Sequence, residues 1–270
     1  MIRAFWQSRL TAGAIWALSA VLAAVIWVRD LEQGYPLYIP IVAAVLTLCL
    51  GAAVGRLAGN IVANTRNTKL LGLLHVELDP RAFLDAYTPV PERLKKGSWD
   101  YAVSRSYLAG GYAAAGEFDR AASLLCPDCG GKPQAALAVR GLYYSNLCAC
   151  ALAQGDCDKA RQAAAGLEAV VADPAASPAF AQNMGLQLTF CRERLACLEG
   201  GQVDRQWLSG QLKSAPYALR RLEILEVLAR DALRRGRGAE ARSWLEQMSE
   251  AAGKTYWGDW ARQKLAELAD

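Results

Sequence analysis

The chain has 270 residues, of which 53% are hydrophobic and 21% are charged, and its net charge is +4. This composition is typical of a folded protein and excludes wholesale disorder. The basic residues mostly alternate with acidic ones, so the sequence lacks the concentrated basic stripe typical of nucleic-acid binding, and no nucleic-acid partner is expected. The apolar residues gather near the N-terminus, which predicts that lipid solvates this part of the chain and water the remainder.

Two apolar runs predict a two-pass membrane anchor over residues 1–59. The first run, residues 10–28, has no charged side chain, and the second, residues 37–57, has one, Arg56. Each run is close to the roughly 20 helical residues that cross a bilayer. A polar turn with Gly34 and Pro36 separates them. The alternative for the first run is a cleaved signal peptide, but the run is longer than the apolar core of such peptides and a second span follows at once.

Basic residues near the ends of the two spans predict the orientation of the anchor. The turn between the spans has one basic residue, Arg29, whereas five lie at the outer ends: Arg3, Arg9, Arg56, Arg66 and Lys69. Basic residues favour the cytoplasmic side of a membrane. We therefore expect a multi-pass protein of the cell membrane with both termini and the C-terminal region in the cytoplasm.

Glycines recur every four residues at the end of the second span, at Gly51, Gly55 and Gly59. Such spacing puts them on one helix face, where another backbone can approach closely. The first interpretation is that this face packs on the first span of the same chain. The alternative is the seam of a homo-oligomer. Neither span carries a charged residue near its middle, as a transporter usually needs, so the hairpin is interpreted as an anchor.

From residue 60 onward the sequence has helical periodicity and no clear strand pattern, which predicts an all-α fold. Residues 60–98 are expected to form a helical linker. Within it Asp79 and Pro80 are typical of the start of a helix, and Ser98 is expected to cap the next one.

Residues 99–270 contain a repeated pattern. An alanine-rich apolar helix ends at a glycine, a short polar turn follows, and a second helix begins. The turn glycines are Gly116, Gly155, Gly200 and Gly236, at intervals of 39, 45 and 36 residues. One such helical hairpin cannot bury its apolar face alone, so neighbouring hairpins are expected to stack.

These segments resemble tetratricopeptide repeats. The first unit carries the resemblance at Leu108, Tyr112, Gly116 and Ala121, and the second at Leu147, Gly155 and Ala160. The third unit departs from the pattern, with Arg205 where an alanine is expected. The resemblance implies an α-solenoid over residues 99–270, with the last helix, residues 255–268, as its terminal cap.

Cys126 and Cys129 form the most suggestive chemical motif. A CxxC pair can supply two thiolates to zinc or form a redox couple. Zinc needs two further ligands, and Cys148 and Cys150 point to different sides of a helix. A redox motif should open a helix after a strand, whereas this one closes a helix. A structural loop is therefore the first interpretation, and a metal-binding or redox protein is the alternative.

The remaining sequence offers no catalytic constellation, so we expect no enzyme, no cofactor and no metal. His75 is the only histidine. Gly253, Lys254 and Thr255 are similar to the end of a phosphate-binding loop, but Met248 stands where that motif needs a glycine and no strand precedes it.

Repeats of this class usually bind a peptide or helix along the face formed by their first helices. Transferring the repeat register puts six polar residues on that face: Ser106, Ser145, Asn146, Arg194, Arg230 and Arg234. The arginines would suit an acidic peptide or helix, or a carboxylate. Alternatively, they pair with Glu193, Glu226 and Asp231 nearby. The expected function is a membrane-anchored scaffold that recruits a protein partner.

Overall fold

A computed structural model describes the backbone of residues 2–269 and the side chains of residues 9–269, so the side chain of Arg3 lies outside the described residues. The described part contains α-helices, one short 3-10 helix and no strand, which confirms the all-α prediction. The helices are α1 (Ile2–Glu32), α2 (Tyr38–His75), α3 (Pro80–Tyr87), η1 (Pro91–Arg93), α4 (Trp99–Ala114), α5 (Phe118–Leu124), α6 (Pro133–Gln154), α7 (Cys157–Val171), α8 (Pro178–Glu199), α9 (Arg205–Lys213), α10 (Ala218–Arg234), α11 (Gly238–Ala251) and α12 (Tyr256–Glu267).

The chain divides into two units, Met1–Leu70 and Leu71–Asp270. The sequence predicts boundaries near residues 59 and 98, and the structural division falls between them. The reason is that α2 is one continuous helix of 38 residues. At about 1.5 Å per residue it is roughly 57 Å long, nearly twice the thickness of a bilayer core.

The first unit is a helical hairpin with apolar side chains on its outside. Leu18, Leu46 and Leu50 are each more than 60% exposed, as expected for helices that face lipid. The hydroxyl groups of Ser19 and Thr47 donate hydrogen bonds to the carbonyl oxygens four residues earlier, at 2.8 Å in both cases. This bonding satisfies the polar groups within their own helices.

Two of the predicted packing glycines lie between α1 and α2. A Cβ atom on Gly51 would overlap the side chain of Ser19, and one on Gly55 would lie 3.0 Å from the carbonyl oxygen of Ala12. Gly59 is also buried. At Gly51 and Gly55, therefore, the small residues admit the other helix of the same chain.

Three helices of the described chain are long and apolar enough to cross a membrane, which indicates a membrane protein. Two of them, α1 and α2, hold the predicted spans. The third, α6, was not predicted as a span, and 39% of its apolar window is buried in protein, compared with 6% and 17% for α1 and α2. It contacts α4, α5, α7 and α8. Its apolar residues are therefore used for packing inside the second unit.

The helix boundaries of the second unit follow the predicted capping signals. Asp79 accepts a hydrogen bond from the Ala82 amide at 3.0 Å, and Ser98 accepts one from the Tyr101 amide at 3.3 Å. The four repeat glycines all have the left-handed backbone expected after a helix, with φ of 84°, 75°, 87° and 68° along the chain. The predicted ends of α4, α6, α8 and α10 are thereby confirmed.

Helices of the second unit contact both the next helix and the next but one. Contacts between consecutive helices join α4 to α5, α6 to α7, α9 to α10 and α10 to α11, and further contacts join α4 to α6, α6 to α8 and α8 to α10. A core with many small side chains allows this close packing. It includes Cys148, Ala160, Ala163 and Leu167 between α6 and α7, with Cys191 from α8.

Candidate functional site

A cavity of about 250 Å³ lies within the second unit, on the side to which α4, α6, α8 and α10 contribute. The end of α2 and the start of α12 complete its wall. Its polar and charged lining residues are His75, Ser106, Tyr107, Ser145, Asn146, Gln187, Arg194, Tyr217, Arg220, Glu223 and Tyr256. Since about 10–15 Å³ of such space holds one water molecule, the cavity has room for a small ligand or for the end of a peptide.

Arg194 is the most deeply buried charged residue in the cavity wall, with 6% of its surface exposed. Its Nη2 atom lies 3.2 Å from Oε2 of Glu226, which is 2% exposed. Among the residues that the structure describes, this is the one hydrogen bond that the guanidinium donates. Its other N–H donors have no hydrogen-bond acceptor among the described residues.

Glu226 collects three partners. Besides Arg194, it accepts hydrogen bonds from Nε of Arg230 at 2.9 Å and from the indole Nε1 of Trp257 at 3.0 Å. Burial opposes ionisation of this carboxyl group, but the two guanidinium groups and the indole hydrogen bond outweigh it, so its pKa lies below the ordinary value. The carboxylate is therefore charged at neutral pH.

The cavity wall also carries a second ion pair and two ring contacts. Arg220 lies 2.9 Å from Glu223, and its guanidinium stacks 3.6 Å from the ring centre of Phe190. His75, at the end of α2, stacks on Tyr217 with 4.6 Å between ring centres. Of the charged residues in these two clusters, Arg194, Arg220 and Glu223 line the cavity, whereas Glu226 and Arg230 do not. The lining thus carries two guanidinium groups and one carboxylate, and Glu226 neutralises Arg194 from outside the lining.

The structure brings four of the six predicted groove residues together. Ser106, Ser145, Asn146 and Arg194 all line the cavity. Asn146, on α6, is half-buried. Whether any of them binds a partner stays a prediction.

The other two predicted groove residues lie elsewhere, because local carboxylates hold them. Arg230 pairs with Glu226 and lies 4.6 Å from the ring centre of Trp260. Arg234 is exposed and donates hydrogen bonds to the carbonyl oxygens of Cys197 and Gly201.

Asp231 explains the position of Arg234 and of three further arginines. This carboxylate is fully buried and lies 2.6–3.7 Å from the guanidinium groups of Arg205, Arg234, Arg235 and Arg237. The alternative prediction of local pairing is therefore confirmed at Glu226 and Asp231. Glu193 instead accepts a hydrogen bond from the backbone amide of Asp204, at 2.7 Å.

The start of α12 forms part of the cavity wall, which sequence reasoning missed. Trp257 donates to Glu226 of α10, and the ring of Tyr256 meets Phe118 of α5 edge-on at 5.1 Å. The turn before α12 also contacts the turn before α3, where the Lys254 amide donates to the carbonyl oxygen of Leu78 at 2.9 Å. The expected terminal cap thus contacts both ends of the helix row. The clustering of Tyr256, Trp257 and Trp260 was the available signal.

Cys126 and Cys129 lie half-buried in the loop between α5 and α6. That loop is tied to an earlier turn by a hydrogen bond from the Gly130 amide to the carbonyl oxygen of Gly97, at 2.8 Å. Across the described residues, no group of three metal-binding side chains comes together. The metal-binding alternative therefore gains no further ligand from the described residues, and the redox alternative stays a prediction.

Comparison of this chain with protein-family models, curated proteins and solved structures finds no match. The likeness to tetratricopeptide repeats therefore rests on the residues quoted from the sequence and stays a prediction.

Proposed function

We propose that this chain is a membrane-anchored helical-repeat protein that recruits a protein partner at the cytoplasmic face of the cell membrane. Residues 99–270 form a solenoid similar to tetratricopeptide repeats, and α1 and the first part of α2 anchor it. The proposed ligand is an acidic segment of the partner, received in the cavity. No catalytic role is proposed.

The observation that carries this proposal is the buried Arg194 with unused N–H donors in the cavity wall. Removing a charge from water is costly unless the charge is paired and hydrogen-bonded. Glu226 meets part of that need, but it is shared with Arg230 and Trp257. A carboxylate entering the cavity would accept charge-assisted hydrogen bonds from the guanidinium N–H groups of Arg194 that Glu226 does not bind.

Three further features support this proposal. The two apolar helices supply an anchor. The excess of basic residues outside the spans favours the orientation with both termini in the cytoplasm. Contacts between every second helix from α4 to α10 match the way that first helices of such repeats line one face.

Binding of a defined acidic peptide tests the proposal. The probe is a fluorescent hexapeptide of alternating glutamate and leucine, and the control replaces each glutamate by glutamine. Fluorescence anisotropy with the full chain in detergent should show binding of the acidic peptide alone. Asn146→Ala should weaken it several-fold, whereas Ser243→Ala, on α11 and outside the cavity lining, should leave it unchanged. Equal binding of both peptides, or of neither, would contradict the proposal.

A further inference from the structure

We infer that the turn between α11 and α12 is a latch that controls access to the cavity, an inference that rests on the proposed function. The latch consists of Gly253 and Lys254 on one side and Leu78 and Asp79 on the other. When closed, it holds Tyr256 and Trp257 in the cavity wall, where they occupy space that a partner needs.

The two aromatic residues bridge distant helices across the cavity. The Tyr256 ring contacts Phe118, and a Cβ atom on Gly116 would lie 3.3 Å from the Tyr256 Cβ. Trp257 is buried and donates to Glu226, the carboxylate that also pairs with Arg194. Displacing this pair therefore widens the cavity and exposes the most deeply buried positive charge in its wall.

The latch itself is small and specific. The Lys254 amide donates to the Leu78 carbonyl oxygen at 2.9 Å, and Lys254 Nζ lies 2.5 Å from Oδ2 of Asp79. Gly253 lies so close that an added Cβ atom would be 2.8 Å from both Cβ and the carbonyl oxygen of Leu78. A side chain at position 253 is therefore incompatible with the closed latch.

Two properties make the latch easier to open than the helices that it joins. Gly253 and Lys254 are exposed, with 72% of the Lys254 side chain accessible, so water competes for their contacts. The turn that contains Leu78 is closed separately, by a hydrogen bond from the Asp79 amide to the Leu73 carbonyl oxygen at 2.9 Å. The latch can therefore open without unfolding that turn, and local opening of this kind costs less than global unfolding.

Cys191 provides a readout that needs no ligand. It lines the cavity and is 5% exposed, so a small alkylating reagent reaches it when the cavity opens. Cys191 and Cys197 are equally buried and each belongs to a packed core cluster, but Cys197 lies outside the cavity lining. Its alkylation therefore reports general unfolding in the same sample.

The experiment compares Gly253→Ala with Gly236→Ala in the full chain, with iodoacetamide labelling of each cysteine followed by mass spectrometry. Both glycines have positive φ, but nothing lies within 4 Å of a Cβ atom on Gly236. The matched control thus carries the same backbone strain without the latch contact. We expect Gly253→Ala to speed Cys191 labelling about ten-fold relative to Gly236→Ala, which corresponds to about 1.4 kcal/mol, and to leave Cys197 unchanged.

Equal Cys191 rates in the two variants, or a parallel rise at Cys197, would overturn the inference. The glutamate–leucine peptide separates the latch from the proposed function. If Cys191 labelling rises and the peptide binds more tightly to Gly253→Ala, both stand. If Cys191 labelling rises and the peptide binds to neither variant, the latch stands and the proposed function fails.

Discussion

Glu226 is the residue on which the cavity wall depends most directly, because it neutralises a guanidinium group that has little access to water. Gln has nearly the same shape, so Glu226→Gln removes the charge while keeping an acceptor for Trp257. Arg194 is then left as a buried charge with no ionic partner, which costs about 3 kcal/mol. We expect the urea midpoint of the second unit, measured for the full chain in detergent, to fall accordingly.

Glu117→Gln is the matched control, since Glu117 pairs with Arg120 and their side chains are 43% and 61% exposed. Exposed pairs contribute at most about 1 kcal/mol, so the control midpoint should barely move. Comparable losses in the two variants would show that burial does not set the strength of the Glu226 pair.

The pH dependence of stability tests the same ion pair, and the direction of the effect follows from the pKa of Glu226. The pKa of Glu226 is below its ordinary value in the folded chain. Its stabilisation is therefore complete above the ordinary pKa and is lost as pH falls through the lower, folded-state pKa. Glu226→Gln should remove this contribution from the acid limb of the stability profile.

At the scale of whole elements, the close approach of α1 and α2 depends on glycine. The Ala12 carbonyl oxygen that faces Gly55 belongs to the backbone and cannot move without shifting α1. Gly55→Ile should therefore destabilise the hairpin by roughly 1–3 kcal/mol, as overpacking usually does. We expect a lower thermal midpoint in detergent at unchanged particle mass.

Gly13→Ile is the control for that substitution, because nothing lies within 4 Å of a Cβ atom at Gly13. Light scattering of the purified particles decides between the two interpretations of the glycine face. A fall in mass confined to Gly55→Ile would identify a seam between copies and contradict the intramolecular assignment.

The elements were predictable wherever a local signal sufficed. Capping residues such as Asp79 and Ser98, and glycines such as Gly155, act within one helical turn, so sequence alone located those helix ends. The directions of the Arg230 and Arg234 side chains could not be predicted from the sequence. They depend on Glu226 and Asp231, whose burial follows from packing among distant helices. The contact of α12 with the turn before α3 depends on residues about 175 positions apart, and no periodicity encodes it.

At the scale of the whole molecule, the native cysteines can report the orientation of the chain. Cys126, Cys129 and Cys157 are half-buried and flank α6 on both sides. Burial raises the pKa of Cys197 to about 11, so that thiol is protonated as well as inaccessible at neutral pH. A membrane-impermeant maleimide should therefore react with the three half-buried thiols and leave Cys197 unmodified.

We expect Gln33→Cys, in the turn between α1 and α2, to be labelled on intact cells. Only after the membrane is opened should the reagent label the native thiols on the two sides of α6, which are Cys126, Cys129 and Cys157. All three should react in the same step, because the proposed topology keeps α6 in the cytoplasm. Labelling of Cys157 on intact cells while Cys126 stays protected would mean that α6 crosses the membrane, and would contradict the proposed topology.

The contact between Lys254 and Leu78 also has a consequence for the order of events during synthesis. Residues so far apart in sequence meet late, because the entropic cost of closing a long loop must be met first. The hydrophobic hairpin leaves the ribosome early, and Tyr256 and Trp257 are made after every other residue of the cavity wall. Every nascent chain therefore passes through a stage in which the hairpin has been made and the wall of the cavity is still incomplete. A partner made at the same site could bind during that interval, before the wall is complete.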